Sequence, residues 1–141
     1  MVLKKVQLVH NAAARLVTGA RKFDHITPVL RELYWLPVKQ RIIFKIGVIM
    51  FKCVSGVAPD NLGSLCAKAS EVSSRSRLRS AVHGMMLVPR SRLVFGGRRF
   101  EVAGPVVWNR MDMRMISLYP VFRRRLKTVL FDMEYNDPLR N

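Results

Sequence analysis

The sequence predicts a mainly α, small helical domain, with room for one short β-hairpin in its C-terminal half. Apolar residues recur at the three- and four-residue spacing of amphipathic helices, near both the start and the end of the chain. Glycines and prolines fall where helices end and begin, as at Gly19, Pro28, Pro37 and Gly56. The 141 residues are 50% hydrophobic, which is enough for an ordinary core.

Residues 1–66 are predicted to form a helical segment of three to four helices. The first covers residues 2–18, and we expect its apolar stripe to be buried. That stripe comprises Val2, Val6, Val9, Ala13 and Leu16. For the second helix, Thr27 is the expected N-cap and Pro28 the first helical residue. Its expected buried face consists of Leu30, Leu33 and Tyr34.

The second and third predicted helices form a helix–turn–helix. The composition of the third helix, residues 37 to about 55, indicates whether this motif reads DNA. Arg41, Lys45 and Lys52 fall within about 40° of one another on a helix, and nearly all other positions are apolar. A recognition helix needs a broad polar face toward the bases. The sequence therefore favours core packing here, and the narrow cationic stripe is compatible with phosphate contacts. A short helical turn is expected after Pro59.

The remainder is predicted to be less regular. Residues 67–84 are rich in Ser and Arg and are interpreted as a linker. Residues 85–131 are expected to hold two short strands, 85–88 and 92–95, a short helix opened by Pro105, and a basic amphipathic C-terminal helix. The apolar stripe of that last helix is Leu118, Phe122, Leu126 and Val129. Residues 132–141 are predicted to be a frayed tail.

The charge balance points to a polyanionic partner. Lys and Arg number 25 against nine acidic residues, for a formal net charge of +16 spread along the chain. Such a domain attracts RNA or DNA non-specifically, through phosphate contacts. The predicted contact residues are Arg75, Arg77, Arg79, Arg98, Arg99, Arg123, Arg124, Arg125 and Lys127.

No motif of catalysis or cofactor binding is present, so we expect neither an enzyme nor a cofactor nor a small-molecule substrate. His25 beside Asp24 is interpreted as a turn residue, and Trp35 and Trp108 as core residues rather than base-stacking ones. Cys53 and Cys66 lack the spacing of a zinc site. The longest apolar window, residues 42–51, is too short to span a bilayer. We therefore expect a nuclear or cytoplasmic protein without a membrane partner.

An ordered series of segments resembles one known family. VQLVHNAAARLVTGARKFDHITPVLRELYWLPVKQRIIFKI, SGVAPDNL, LRSA, LVPRSRLVFGGRRFEVAGPVVWN and FRRRLKTVLF follow one another along residues 3–131. This series is similar to the C-terminal, post-polymerase region of jockey-like LINE (non-LTR) retrotransposon reverse transcriptase polyproteins.

The resemblance implies a supporting role in RNA or primer–template binding. Those polyproteins carry an endonuclease and a reverse transcriptase, but their metal-binding aspartates lie upstream of the matching region, so no catalytic residue is implied here. Two departures suggest drift. The family's Trp-Asn-x-Leu-Pro is Trp108-Asn109-Arg110-Met111-Asp112 in this chain, and Gly47 interrupts an apolar helix at a cost of about 1 kcal/mol.

Two alternatives stay open at this point. In the first, the chain is a retrotransposon remnant without selected function. Residues 42–51 would then expose apolar surface that is shaped to pack against a missing neighbouring domain. Otherwise it is a basic protein-interaction or membrane-surface module, with residues 117–131 as the interfacial helix.

Overall fold

A computed structural model describes residues 2–71, 84–90, 96–114 and 116–136, with the side chain of Arg98 left out. These residues form six α-helices and no strand, which confirms the mainly α fold. The helices are α1 (Val2–Thr18), α2 (Ile26–Glu32), α3 (Val38–Val54), α4 (Asp60–Gly63), α5 (Phe100–Asn109) and α6 (Tyr119–Tyr135). Short 3-10 turns occupy Ala69–Glu71 and Gly96–Arg98.

The chain divides into two compact units that do not follow the predicted boundaries. Unit one comprises Met1–Phe44 and Lys127–Asn141, and unit two comprises Lys45–Leu126. The divisions fall within α3 and α6. The predicted segments follow the order of the sequence and therefore separate the two ends of the chain. In the structure both ends belong to unit one.

Helix α1 packs through a different face from the predicted one, centred about 100° around the helix axis from it. Its buried residues are His10 and Ala14, and Ala14 is fully inaccessible. The predicted buried stripe is exposed instead, from 46% at Val6 to 86% at Leu16, and only Ala13 is half-buried. Residues 42–51, which the remnant alternative expects to expose apolar surface, include one exposed large apolar side chain, Ile42 at 41%.

Polar contacts explain why α1 turns its other side inward. The Gln7 side-chain carbonyl oxygen accepts a hydrogen bond from the Val38 amide at 2.8 Å. This contact satisfies one of the unpaired N–H groups at the start of α3. The His10 ring lies 5.2 Å from that of Trp35, and the Gln7 amide nitrogen donates to Asn11 at 2.7 Å. Apolar periodicity alone could not reveal that a helix N-terminus needed this partner.

Leu16→Ala distinguishes the two faces of α1. Because Leu16 is exposed, we expect this change to alter the free energy of unfolding by less than about 0.5 kcal/mol. Leu8→Ala on the same helix, also exposed and off the predicted stripe, should behave alike. Urea denaturation measures both. A decrease of about 2–5 kcal/mol in the free energy of unfolding for Leu16→Ala, but not for Leu8→Ala, would show that the predicted stripe is buried.

Helix α2 starts and ends differently from the prediction. Its N-cap is His25, which makes no side-chain capping bond, and Thr27 and Pro28 lie inside the first turn. The amide lost at Pro28 has no helical partner in that turn anyway. At the other end Tyr34 is not part of the buried face: it lies beyond α2, is exposed, and has a φ of +57°.

Unit two has an aromatic and thioether core. Trp108, Phe122, Met50, Leu126 and Pro105 are its most completely buried side chains. This confirms the core placement of Trp108 and of α3. Met111 and Met113 are buried as gap-filling residues, as expected, while Met115 lies outside the described residues. Pro105 lies within α5 rather than at its start, because α5 already begins at Phe100.

Gly47 has a packing reason that the sequence did not show. A Cβ at this position would lie 2.6 Å from Met111 Cε and 2.9 Å from Leu126 Cδ2. The absence of a side chain therefore lets α3 approach both of these buried residues closely. Gly47 therefore has a packing explanation beside the interpretation as drift.

Polar contacts of Trp108, Asn109 and Arg114 fix the end of α5 and the turn after it. The Asn109 side chain accepts from the Met86 amide and donates to the Met86 carbonyl, both at 2.8 Å. Trp108 Nε1 donates to the Gly84 carbonyl at 3.0 Å. Arg114 donates to the carbonyls of Asn109 and Met111, each at 2.6 Å, which holds the turn after α5.

The predicted linker and hairpin are only partly described. Lys68 and Met86 form an isolated antiparallel bridge, so the start of the predicted linker is ordered and pairs with the first predicted strand segment. Ala69 is buried in the 3-10 turn that follows. Residues 72–83 and 91–95 lie outside the described residues, and the hairpin between 85–88 and 92–95 stays a prediction.

Helix α6 extends beyond its predicted end at residue 131. In unit one, the Tyr135 hydroxyl donates to the Trp35 carbonyl at 2.7 Å, and the Tyr135 ring lies 4.7 Å from that of Phe131. Burial, with a smaller contribution from Glu134, raises the pKa of Tyr135 to about 12. These contacts hold residues 132–135 in the helix, so fraying cannot begin before residue 136. Leu118, predicted to be on the buried stripe, is exposed.

Candidate nucleic-acid interface

A cluster of exposed positive charge lies on α6. Arg123, Arg124 and Arg125 are all exposed, while Phe122 and Leu126 on either side of them are buried in unit two. The apolar spacing of α6 therefore directs the three arginines outward, as the sequence predicted. Neither Arg123 nor Arg125 has an ion-pair partner among the described residues.

The three arginines do not point in one direction. Consecutive residues of an α-helix are separated by about 100°, so Arg123 and Arg125 lie about 200° apart around the axis. A single phosphate backbone running past α6 can face one of these two side chains but not both. The cluster is thus suited to non-specific attraction of a polyanion from several sides rather than to one fixed geometry.

Lys127, the next predicted contact residue, lies in unit one and borders an exposed aromatic ring. Its Nζ is 5.9 Å from the centroid of the Tyr34 ring. The Tyr34 ring is stacked on Phe131, with centroids 4.4 Å apart and planes within 5°. Tyr34 is 61% exposed while Phe131 is buried, so the lysine and the outer aromatic surface are presented together.

An open groove runs beside Tyr34. It is lined by Pro28, Arg31, Glu32, Tyr34, Phe131 and Asn136. Arg31 Nη2 donates to the Asn136 side-chain carbonyl at 2.9 Å, which positions the guanidinium at the edge of the groove. Two cations, Arg31 and Lys127, lie near the ring, and two acids border the groove: Glu32 lines it, and Asp132 accepts a hydrogen bond from Asn136 at 2.8 Å. This combination of aromatic surface and positive charge is suited to a nucleic-acid strand.

Helix α3 presents its cationic stripe to solvent. Arg41, Lys45 and Lys52 are exposed, and Lys52 Nζ lies 5.7 Å from the Tyr119 ring centroid. Helix geometry places the first and last of these residues about 16 Å apart along the axis. The stripe is compatible with contacts to several successive phosphates, although these residues were not among the predicted contacts.

No known protein family, no curated protein and no solved structure matches this chain. The resemblance to the LINE polyproteins therefore rests on the quoted residues alone. What the exposed side chains can do must be argued from their chemistry.

Among the other predicted contact residues, the structure describes the side chain of Arg99 but not those of Arg98, Arg75, Arg77 and Arg79. Arg99 is largely exposed but forms an ion pair with Glu101 at 2.9 Å, which reduces its availability to phosphate. The side chain of Arg98 lies outside the described residues, as do Arg75, Arg77 and Arg79. Their role as contacts stays a prediction.

Burial shifts the pKa values of His10 and Cys66. Burial, assisted by the nearby Arg41 charge, lowers the pKa of His10. Burial raises the pKa of Cys66 to about 11, and Cys53 adds to this shift. A thiol with a raised pKa is a poor nucleophile at neutral pH. In the described part of the chain, no three His, Cys, Asp or Glu side chains converge as metal ligands, and no helix combines the length and apolarity needed to cross a membrane.

Sequence reasoning missed Tyr34 and Arg31 as functional candidates. The helical spacing of Leu30, Leu33 and Tyr34 assigned the tyrosine to a buried face, and Arg31 was isolated in sequence from other basic residues. Tyr34 and Phe131 lie nearly 100 residues apart, so no local pattern could indicate that the two rings stack.

Proposed function

We propose that this chain is a non-catalytic, basic module that binds RNA or DNA mainly through phosphate contacts. The observation that carries the proposal is the set of exposed cations on α6, since Arg123, Arg124 and Arg125 are directed outward by a buried apolar face. Arg and Lys side chains bind phosphate by releasing condensed counterions, a contribution that needs no fixed base contacts.

The net charge of +16 supports the same function. A positive field of this size increases the rate at which a polyanion meets the protein. The cationic stripe on α3 and the Lys127–Tyr34 pair offer additional contacts. We infer further that the chain derives from the post-polymerase region of a LINE polyprotein, and that it acts in the nucleus or cytoplasm, where such nucleic acids occur.

Salt dependence of binding tests the proposal. Fluorescence anisotropy with a labelled 20-nucleotide RNA should show affinity falling as KCl rises from about 50 to about 200 mM. Replacing both Arg123 and Arg125 by Gln should reduce the slope of log affinity against log salt by about 0.7–0.9, which is one contact. We expect one contact rather than two because the side chains face away from each other.

The matched control removes the same charge elsewhere. Lys4→Gln with Lys5→Gln eliminates two exposed cations of α1 and should leave the slope unchanged. Affinity that is absent at low salt, or that does not respond to salt, would contradict the proposed function. Equal slopes for the α1 and α6 double variants would contradict the assignment of the contact surface to α6.

A further inference from the structure

Tyr34 occupies a backbone position that normally belongs to glycine. It follows Leu33, the C-cap residue of α2, in a Schellman motif, with the Trp35 amide donating to the Leu30 carbonyl at 2.9 Å and the Tyr34 amide to the Arg31 carbonyl at 3.0 Å. Its φ of +57° is left-handed, which is unfavourable for a residue with a bulky side chain. Strain of this kind often marks functional positions.

The end of α3 in the same chain shows the unstrained solution. There the Gly56 amide donates to the Cys53 carbonyl at 3.3 Å and the Val57 amide to the Lys52 carbonyl at 2.9 Å, which is the same motif. Gly56 has a φ of +70°, and glycine tolerates that value freely. Glycine at position 34 would relieve this backbone strain but would also remove the stack of the ring on Phe131.

The Tyr34 ring contacts α6 and remains largely exposed. Phe131 stacks on it, and Lys127, one helical turn earlier on α6, has its Nζ 5.9 Å from the ring centroid. Since the residue is still 61% exposed, the remaining ring surface is accessible beside the groove with Arg31 at its edge. Ring, backing ring and two cations are thus already in place without a ligand.

We propose that Tyr34 is a stacking platform for one unpaired nucleobase, with Lys127 and Arg31 holding the phosphates next to it. Aromatic side chains stack on any base, but only on a base that is not already paired and stacked within a duplex. The chain therefore prefers single-stranded to double-stranded nucleic acid. This inference rests on the proposed function, because phosphate contacts must first bring the strand to the protein.

Three probes of equal length separate base stacking from phosphate binding. They are a single-stranded oligonucleotide, its duplex, and a single strand that keeps every phosphate but has abasic sites in place of all bases. Anisotropy titrations with the intact chain at one salt concentration give the three affinities. The single strand should bind more tightly than both other probes.

Tyr34→Gly is the informative variant because it removes the ring and also relieves the backbone strain. We expect it to weaken single-strand binding by about 5- to 150-fold, with affinity for the abasic probe unchanged. Its melting temperature should stay close to that of the unmodified chain, because relief of the backbone strain offsets the lost stack on Phe131. Tyr34→Phe keeps the stacking surface and should retain affinity. Phe23→Ala is the control: that exposed ring also has a lysine nitrogen 5.8 Å away, but no second ring stacks on it among the described residues.

The outcomes distinguish this inference from the proposed function. If all three probes bind equally and Tyr34→Gly changes none of them, the stacking platform is wrong while phosphate binding stands. If Tyr34→Gly weakens binding of the abasic probe as much as binding of the single strand, the ring supports the phosphate contacts rather than stacking on a base. The inference is then again wrong. If no probe binds even at low salt, the proposed function fails and the stacking platform fails with it.

Discussion

Phe122→Ala should reduce the free energy of unfolding by about 3–5 kcal/mol, the largest single effect that we expect in this chain. Phe122 is fully inaccessible to solvent. Its ring centroid lies 4.6 Å from that of Phe51 and 5.8 Å from that of Trp108. Truncation removes apolar surface from contact and leaves a cavity among rings that cannot close over it.

Urea denaturation followed by far-ultraviolet circular dichroism measures this effect. Phe23→Ala is the matched control because it is the same substitution at a side chain that is 93% exposed, and it should change stability by less than about 0.5 kcal/mol. If Phe122→Ala costs no more than Phe23→Ala, then Phe122 is not a core residue. In that case Arg123, Arg124 and Arg125 would also lose the buried anchor that directs them outward.

The contrast between α6 and α1 shows what apolar spacing can and cannot predict. In α6 the buried stripe was predicted at Phe122 and Leu126, and these residues are buried. In α1 an equally regular stripe is exposed, and the helix instead contacts α3 through the polar residue Gln7, which accepts a hydrogen bond from the Val38 amide. Spacing predicts that a helix has an apolar side. It does not predict whether that side is buried, because burial also depends on long-range contacts such as the hydrogen bond between Gln7 and Val38.

The candidate site was predictable to the extent that it depends on local sequence. The outward direction of Arg123 to Arg125 follows from the stripe beside them. The exposure of Tyr34 does not, because it depends on a left-handed residue at the end of α2 and on Phe131 from the far end of the chain. The charge +16 indicates a polyanion, but only the ring suggests single strands.

Gly104→Val is the second large effect that we expect, a loss of about 3 kcal/mol at the upper end of overpacking costs. A Cβ at position 104 would lie 2.6 Å from the sulfur of Met50 and 3.3 Å from Met50 Cγ. Methionine is flexible, but Met50 is fully buried and has no space into which it could move. Helix propensity alone predicts the opposite sign, since glycine is unfavourable inside a helix by about 1 kcal/mol.

Gly63→Ala and Gly104→Ala make the two opposing effects measurable. A Cβ at Gly63, the last residue of α4, meets nothing within 4 Å, so alanine there should be neutral or stabilise by up to about 1 kcal/mol. Gly104→Ala should destabilise, although less than valine, because the same Cβ meets Met50. Stabilisation by Gly104→Ala would show that α5 and α3 are loosely packed. The apolar helix glycines, Gly47 included, would then be explained by sequence drift rather than by close helix contact.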